Sequence, residues 1–298
     1  MNFKCGYVTI LGRPNVGKST LLNKLVGQKI SIVSPKPQTT RNVVTGILNT
    51  SEMQVVFLDT PGIHKPKNSL DKYMEKSITK SLDGIDLILY MLDGTKRFFS
   101  EDIDDIKSFC AGQTPVVVLV SKVDDTTFEK LYPELAKLNS LENVQDIIPF
   151  SSFNGKNLDV IIETIKKFMP EGPAMYPQDA ITDVSERFIA SEIIREKSLW
   201  LLQQEIPHGI AVEIQKFQQT SNLTKISATI FCEKENHKKI IIGTAGSTLK
   251  KIGAESRKDI ERMLGTKVFL ELWVKVKEHW RDSDIMVSNL GYNKKDLN

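Results

Sequence analysis

Apolar residues fall into short, nearly continuous runs along the first half of the chain. The runs are rich in Val, Ile and Leu and lie at 7–11, 53–58, 85–92, 116–120 and 147–150. Polar stretches with the composition of helices separate or follow them, at 69–82, 100–110, 127–140 and 158–168. Because strands that are apolar throughout must be covered on both faces, this alternation predicts an α/β domain with a doubly wound, mostly parallel sheet.

The pattern changes after residues 169–177, where three prolines and one glycine predict a linker. Beyond it, apolar residues recur at helical spacing in one long helix, at Ile189, Ile193 and Trp200. Alternation of apolar and polar residues then predicts strands at 210–217, 226–231 and 267–277. Helix, two strands, more helix and a last strand indicate a smaller α+β domain. We therefore expect domains at 1–170 and 182–298, joined by a linker at 171–181.

The composition narrows the cellular setting. The 298 residues carry a formal net charge of +3, which demands neither a nucleic acid nor an acidic membrane as partner. The three cysteines are far apart, as free thiols of a reducing compartment would be. No apolar run approaches the roughly 18–20 residues of a membrane span. Residues 1–4 lead directly into the first strand and leave no room for a signal peptide, so we expect a soluble, cytoplasmic protein.

Residues 12–19 read G-R-P-N-V-G-K-S and lie between a predicted strand and a predicted helix. In that setting the spacing predicts a phosphate-binding loop, because glycines let successive backbone N–H groups turn toward phosphate oxygens. Lys18 is expected to bridge the phosphates and Ser19 to bind Mg²⁺. A chance glycine-rich turn is the alternative. The predicted nucleotide contacts in this segment are Gly12, Asn15, Val16, Gly17, Lys18, Ser19 and Thr20.

The segment D-T-P-G follows the predicted strand at 53–58. Ligands of such sheets bind at the carboxyl ends of the strands. Asp59 can therefore reach the shell of Mg²⁺ through a water molecule, and the Gly62 amide can contact the γ-phosphate.

Two further segments predict the base. S-K-V-D at 121–124 follows the fourth apolar run, and Asp124 can accept two hydrogen bonds from guanine that adenine cannot donate. Ser121 and Lys122 would lie beside the base. Ser151 and Ser152 follow the next run and can offer a backbone N–H to guanine O6. These motifs predict GTP as the substrate, with ATP the disfavoured alternative.

With residues 38–41 (Q-T-T-R), these motifs make the chain resemble the Era family of bacterial GTPases, in the translation-factor-related class. The resemblance implies that Thr40 binds Mg²⁺ when GTP is present, with Thr39 the alternative. It also implies two switch loops, at 31–41 and from 62 to about 68, that GTP orders and hydrolysis releases.

The same resemblance implies in-line attack of water on the γ-phosphate, with Lys18, Thr40 and Gly62 as catalytic residues. Slow intrinsic turnover is expected because Ile63 stands where some GTPases carry a glutamine that orients water. In related GTPases an asparagine at the position of Asn15 helps to hold K⁺, and a role in stabilising the loop is the alternative.

This chain departs from the family at Ser121, where the guanine motif usually begins with asparagine. Asparagine contacts the base and also ties down the phosphate loop. Serine is shorter, so we expect weaker nucleotide affinity, with the choice of guanine retained by Asp124.

In the second domain, G-T-A-G at 243–246 lies between two apolar segments and indicates a KH-like (type II) RNA-binding domain. Its glycines let an RNA backbone approach closely, and the adjoining groove of such domains holds about four nucleotides. Between residues 234 and 277, eleven Lys or Arg stand against five Asp or Glu, a net +6. The predicted RNA contacts are Gly243, Thr244, Ala245, Gly246, Lys238, Lys239, Lys250 and Lys251.

The resemblance to the Era family extends over this domain, in segments at 191–197, 207–208, 254–259 and 270–277. It implies binding to the single-stranded 3′ end of 16S ribosomal RNA and a role in maturation of the small ribosomal subunit. Family members usually carry a lysine within the loop, whereas this chain has Thr244 and Ala245. The alternative is a GTPase whose second domain docks on a protein or a membrane surface. Peripheral membrane association stays open, and no DNA partner is expected.

Three smaller groups of residues have structural interpretations. Acidic residues at 101–105 would complement the dipole at the start of a helix. Phe269 and Trp273 could stack on bases or pack against a neighbouring helix. Lys294 and Lys295 are expected to be solvated.

Overall fold

The computed structural model describes residues 3–292, so Lys294 and Lys295 lie outside the described residues. Contacts divide the chain into two compact units. The first contains the described residues up to 31, together with 40–64 and 77–183. The second contains residues 32–39, 65–76 and those from 184 onward. Two segments of the first half of the sequence therefore belong to the second unit.

Within residues 3–292, the first unit forms one six-stranded sheet in the order β2-β3-β1-β4-β5-β6. All neighbours are parallel except β2, which is antiparallel to β3. The bounds are β1 Lys4–Gly12, β2 Val44–Asn49, β3 Met53–Asp59, β4 Leu87–Asp93, β5 Val116–Ser121 and β6 Val144–Pro149. The predicted parallel α/β sheet is confirmed. The pattern missed β2, because Gly46 interrupts its apolar run; a side chain there would meet Leu22 at 2.5 Å.

Helices follow each of the parallel strands. Their bounds are α1 Lys18–Val26, α2 Ser69–Lys80, α3 Ser100–Cys110, α4 Phe128–Asn139 and α5 Leu158–Phe168. Ile88 and Leu92 of β4 and Val116, Val118 and Val120 of β5 are buried and pack with α3 and α4 in one apolar cluster. The sheet thus provides a rigid base from whose strand ends the site residues extend.

The second unit has the predicted order of helix, two strands, two helices and strand, followed by one short helix that was not predicted. The bounds are α6 Glu186–Leu201, β7 Ala211–Gln219, β8 Leu223–Cys232, α7 Glu235–Ile242, α8 Ser247–Leu264, β9 Lys267–Val276 and α9 Asp284–Asn289. β8 lies at the centre of the sheet, antiparallel to β7 and parallel to β9. Buried isoleucines of α6, α7, α8 and β8 form its core.

Residues 32–39 are held in this unit by side chains of α6. The Glu196 carboxylate accepts a hydrogen bond of 2.9 Å from the Val33 N–H, and the Trp200 indole donates to the Val33 carbonyl at 3.0 Å. The buried Arg195 guanidinium donates to the Thr39 carbonyl. Trp200 recurs at the helical spacing of Ile189 and Ile193, but it is 57% exposed and lies outside the buried core that they form.

Residues 65–76 contribute a second apolar cluster to the same unit. Leu70, Tyr73 and Met74 of α2 pack with Trp280 and Tyr292. The rings of Trp280 and Tyr292 stack with centroids 5.9 Å apart.

β9 alternates as its sequence predicts, with Val268 and Val274 buried against the helices. Phe269 and Trp273 on its other face are 53% and 60% exposed. The alternative that these rings pack against a helix is therefore wrong. The three cysteines are buried free thiols, as predicted. Among the described helices, none is long and apolar enough to cross a membrane.

Candidate functional site

The 12–19 loop connects β1 to α1 and depends on two glycines. Gly12 has φ +134° and Gly17 has φ +105°, in the region that side chains disfavour. A Cβ on Gly12 would lie 2.4 Å from the Met91 carbonyl oxygen, so only glycine fits between the two strands. Lys18, Ser19 and Thr20 follow as the first turn of α1, which places their backbone N–H groups at a helix N-terminus.

The Lys18 side chain folds back over this loop. Its Nζ donates to the carbonyl oxygens of Gly12 at 2.9 Å and Arg13 at 3.0 Å. Burial lowers the pKa of Lys18 to about 8, and the nearby Asp59 carboxylate offsets part of that effect. The ammonium group therefore lies in a buried position that a polyphosphate would stabilise.

Ser19, Thr40 and Asp59 meet at the N-terminus of α1. The Ser19 hydroxyl donates to Asp59 Oδ2 at 2.6 Å, and Thr40 Oγ1 lies 2.9 Å from Ser19 Oγ. Ser31 also donates to Asp59 Oδ2, at 2.8 Å. Ser31 belongs to no motif of its own, so its contact with Asp59 was not predicted from the sequence.

Asp59 itself fits a magnesium site. Burial raises its pKa above the ordinary value, and hydrogen bonds from Ser19 and neighbouring hydroxyls, with Lys18 nearby, offset part of that effect. Its other oxygen, Oδ1, is buried without a hydrogen-bond partner among residues 3–292. A buried carboxylate oxygen without a partner is costly, and water bound to a divalent cation would satisfy it.

The two neighbouring threonines are distinguished by their contacts. Thr40 Oγ1 lies with Ser19 and Asp59 as described. Thr39 Oγ1 lies 2.7 Å from Ser34 Oγ and donates to the Lys36 carbonyl at 2.6 Å. The structure thus brings Thr40, and not Thr39, to the acidic end of β3.

Gly62 is pressed against the phosphate loop. A Cβ there would lie 2.6 Å from the backbone nitrogen of Pro14, and the Ile63 N–H donates to the Gly12 carbonyl at 3.1 Å. Both contacts fix the Gly62 backbone beside the loop, where its N–H was predicted to meet the γ-phosphate.

The residues of the S-K-V-D segment hold the other side of the loop. The Ser121 hydroxyl lies 2.6 Å from the Val16 carbonyl oxygen and 2.9 Å from that of Leu92. Ser121 is therefore long enough to reach the loop, a contact that the sequence analysis expected to be incomplete.

Lys122 adopts a left-handed conformation with φ +58° and donates from Nζ to the Asn15 carbonyl at 2.9 Å. It also pairs with Asp93 at 2.7 Å, a partner that the sequence analysis did not identify. Burial alone would raise the pKa of Asp93, but hydrogen bonds from Lys122 and Thr95 outweigh it and hold the pKa below its ordinary value.

The predicted guanine contacts lie on the two adjacent strand ends. Asp124 is exposed in a short 3₁₀ turn, Val123–Asp125, after β5. Ser151 is buried after β6, where its hydroxyl accepts the Phe153 N–H at 3.1 Å and its own N–H donates to the Lys156 carbonyl at 3.1 Å. In the described part of the chain the Ser152 N–H has no acceptor, so it is the amide left to meet guanine O6.

The acidic residues at the start of α3 do more than complement a helix. Asp102 is buried and accepts the Arg13 Nε–H at 2.8 Å, while the Arg13 guanidinium lies 4.7 Å from the centre of the Phe99 ring. The Tyr90 hydroxyl donates to Asp102 at 3.2 Å. This network anchors the start of the phosphate loop to α3.

In the second unit, residues 243–246 form the turn between α7 and α8. Gly243, Ala245 and Gly246 have φ values of +75°, +51° and +78°. A Cβ on Gly243 would lie 2.3 Å from the Thr248 hydroxyl oxygen, whereas one on Gly246 would meet nothing within 4 Å. The turn is therefore tight at its first glycine and open at its last.

A groove of about 540 Å³ opens beside this turn, between α8 and β9. It is apolar at its floor and basic at its rim, with Gly246, Leu249, Lys250, Arg257, Phe269 and Leu272 among its lining residues. Of the predicted lysines, Lys250 lines the groove; Lys239 and Lys251 are exposed elsewhere on α7 and α8, and Lys238 is half-buried. Arg257 also lines the groove, a position that was not predicted because it follows only from the packing of α8 on β9.

Both domains of the chain match known protein families. Residues 7–122 match the family described as 50S ribosome-binding GTPase, and residues 205–281 match the KH domain family. The chain is 48% identical over 294 residues to GTPase Era of Clostridium botulinum (strain Eklund 17B / Type B), covering 98% of this chain and 100% of that protein. It is 46% identical over 296 residues to GTPase Era of Clostridioides difficile (strain 630), with 98% and 100% covered.

Two solved structures match with a TM-score of 0.93 and 41% identity, covering 97% of this chain and 99% of each matched chain. One is a variant of Aquifex aeolicus Era bound to GDP and AlF4⁻. The other is Era in complex with MgGDPNP and nucleotides 1506–1542 of 16S ribosomal RNA. Identity over nearly the whole length of these relatives leads to one conclusion: the chain belongs to the Era family of GTPases.

Proposed function

We propose that this protein is a molecular switch that binds and hydrolyses GTP and binds the single-stranded 3′ region of 16S ribosomal RNA during maturation of the small ribosomal subunit. The observation that carries the nucleotide part is the meeting of Ser19, Thr40 and Asp59 beside the buried Lys18. The RNA part is supported by the groove beside Gly246 and by the likeness to an Era structure in complex with that RNA.

In the hydrolysis step, water attacks the γ-phosphorus opposite the bond to the oxygen that bridges the β- and γ-phosphates. That bond breaks, and the bridging oxygen leaves with GDP. Lys18 stabilises the negative charge that develops on the phosphates, and the Gly62 N–H orients the γ-phosphate. Mg²⁺, when bound, neutralises phosphate charge; Ser19 and Thr40 would hold it directly and Asp59 through water. Ile63 offers no group to orient the attacking water, so intrinsic turnover is slow.

Guanine is selected by Asp124, with the Ser152 N–H as the donor to O6. Replacing Asp124 with Asn exchanges an acceptor for an amide, so xanthosine nucleotides should then bind in preference to guanosine nucleotides. Competition of xanthosine and guanosine nucleotides for binding to the Asp124→Asn variant measures this preference directly. Unchanged preference for GTP would place the base elsewhere.

RNA binding is assigned to the 182–298 domain, with the backbone near Gly243–Gly246 and the charges of Lys238, Lys239, Lys250 and Lys251. The sequence boundaries 1–170, 171–181 and 182–298 stay part of this proposal. Because the proposed partner is ribosomal RNA, we propose that the protein acts in the cytoplasm.

The deciding experiment is GTP turnover with and without an oligonucleotide that copies the 3′ end of 16S RNA. Stimulation that depends on the oligonucleotide sequence is the expected result. If turnover is indifferent to the RNA and a direct binding assay also finds no complex, the RNA part of the proposal is wrong and the GTPase stands alone.

The same assay tests K⁺. We propose that Asn15 helps to hold a K⁺ ion near the phosphates, so turnover should be faster in potassium than in sodium salts at equal ionic strength. Equal rates would remove K⁺ from the mechanism.

A further inference from the structure

The three-stranded sheet of the second unit has two very different faces. Helices α6, α7 and α8 cover one face through the apolar residues of β8 and β9. The opposite face of β9 carries Phe269 and Trp273, two large rings that are more than half exposed. Large exposed aromatic side chains on a sheet typically mark a binding surface.

Part of this outer face is already occupied within the protein. Ala211 and Phe231 lie against the cluster that contains Trp280. Phe269 and Trp273 are not members of that cluster and stay accessible. They stand four residues apart on one strand face, which corresponds to about 13 Å.

The charges around the two rings favour an anion. Lysines outnumber carboxylates on this face of the three strands, which carries Lys216, Lys225, Lys267 and Lys275 against Glu213 and Glu271. The strand register places Lys225 of β8 directly beside Phe269. A surface that alternates aromatic rings with lysines fits a chain of bases and phosphates.

The face is also continuous with the RNA groove. Phe269 is a lining residue of the 540 Å³ groove beside Gly246, and it is at the same time one of the two exposed rings. A strand of RNA that leaves the groove at Phe269 therefore passes onto the outer face of β9, where Trp273 is the next ring.

We propose that the outer face of β9 is a stacking platform that extends the RNA site beyond the groove, with unpaired bases on Phe269 and Trp273 and the lysines on the phosphates. This inference rests on the proposed RNA-binding function and names where the additional nucleotides bind. Stacking accepts every base because each has a π-face, so the platform lengthens the site without adding sequence selectivity.

The test is affinity for two oligonucleotides that copy the 3′ end of 16S RNA, one of four nucleotides and one of twelve. Trp273 is the informative position because it lies outside the groove lining. Trp273→Ala should weaken binding of the twelve-mer on the order of tenfold and leave the four-mer unchanged. Trp273→Phe should retain most of the affinity. Tyr132→Ala removes a ring of α4 that is equally exposed, at 59%, and serves as the matched control.

Each outcome is decisive. If Trp273→Ala binds the twelve-mer as tightly as the unaltered protein, the platform is not used by RNA, and its aromatic face is left to a protein partner. If both oligonucleotides lose affinity equally, Trp273 acts through the groove and the proposal is also wrong. If the unaltered protein binds neither oligonucleotide, the proposed RNA function itself fails and this inference fails with it.

Discussion

The two glycine loops of the protein have similar backbone conformations but differ in how many contacts support them. Residues 12–19 and 243–246 each use glycines with positive φ immediately before a helix N-terminus. The first loop is braced from several sides, by the hydroxyl of Ser121, the Nζ of Lys122 and the backbone beside Gly62. The second is an exposed turn whose last glycine has no neighbour within 4 Å of a Cβ.

The difference follows from the ligand that each loop is proposed to bind. A nucleoside triphosphate presents compact charge, and a preformed ring of N–H groups binds it without reorganisation. An RNA backbone needs only close approach over a longer distance, so an open turn beside a groove is sufficient. A substitution in the first loop should therefore disturb folding and binding together, whereas one at Gly246, the open end of the second loop, should disturb binding alone.

Gly12→Ala should give the largest effect. The new Cβ would lie 2.4 Å from the Met91 carbonyl oxygen at a φ of +134°, so β1 and β4 must separate or the loop must rearrange. We expect a loss of about 2–4 kcal/mol in the free energy of unfolding and no measurable GTP binding. Thermal unfolding and nucleotide titration on one sample measure both. Normal stability with normal GTP affinity would contradict the braced geometry.

Gly246→Asp should weaken RNA binding without a comparable loss of stability. A side chain at this position has room, so only the left-handed φ of +78° and the added negative charge act. RNA affinity should fall by roughly two orders of magnitude, because the carboxylate faces a phosphate backbone. GTP binding should be unaltered, and the unfolding free energy should change by no more than about 1 kcal/mol. The control is Gly253→Asp, about two helical turns further along α8 in the lining of the same groove; equal RNA loss in both would mean that charge in the groove matters and the turn does not.

Ser121→Ala tests the brace of the first loop more gently. It removes the hydroxyl from the buried Val16 carbonyl, which loses its 2.6 Å partner. The expected cost is about 1–2 kcal/mol, seen as roughly tenfold weaker binding of GDP and GTP. Ser121→Asn, which restores the residue usual in the family, should bind nucleotide at least as well as the natural protein. Fluorescent nucleotide titration compares the three; equal affinity in all of them would mean that Ser121 is not a brace.

The smallest effect concerns pH. In the nucleotide-free protein, burial lowers the pKa of Lys18 to about 8. Phosphates beside Nζ raise the pKa, so above that pH the complex binds more protons than the free protein does. Affinity for GDP should therefore be level below about pH 8 and fall above it, by at most roughly tenfold per pH unit. Titrations from about pH 7 to 9.5, with proton uptake measured by calorimetry in two buffers, check the sign. A dissociation constant that does not vary would show that Lys18 stays charged without a ligand.

The sequence predicts best where local pattern and function coincide. The strands at the nucleotide site and the helix that begins at Lys18 are encoded by local apolar runs and motifs. Their prediction therefore does not depend on which residues pack against them. The partners that complete the site come from distant parts of the chain. Ser31 reaches Asp59 and Asp93 reaches Lys122 without a recognisable spacing, because tertiary folding and not sequence distance brings them together.

The exposed rings of β9 are a second case in which the sequence pattern does not reveal tertiary contacts. Alternation alone assigned Phe269 and Trp273 to the polar face of the strand, which is correct. It could not decide whether a helix covers that face, because the cover depends on where residues far along the chain pack. The short strand β2 escaped notice since Gly46 interrupts its apolar run, and the reason for that glycine, the packing of Leu22, lies in another element.

The cluster of α2 with Trp280 and Tyr292 determines which parts of the chain unfold together. Leu70, Tyr73 and Met74 belong by sequence to the first half, yet their side chains are buried only when the end of the chain is folded onto them. Amide hydrogen exchange in residues 70–76 should therefore follow the exchange of residues 280–290, and not that of the neighbouring strand β3. A truncation in the linker would leave Trp280 without its partners, so a fragment beginning at residue 184 would expose the apolar rings that the intact chain covers.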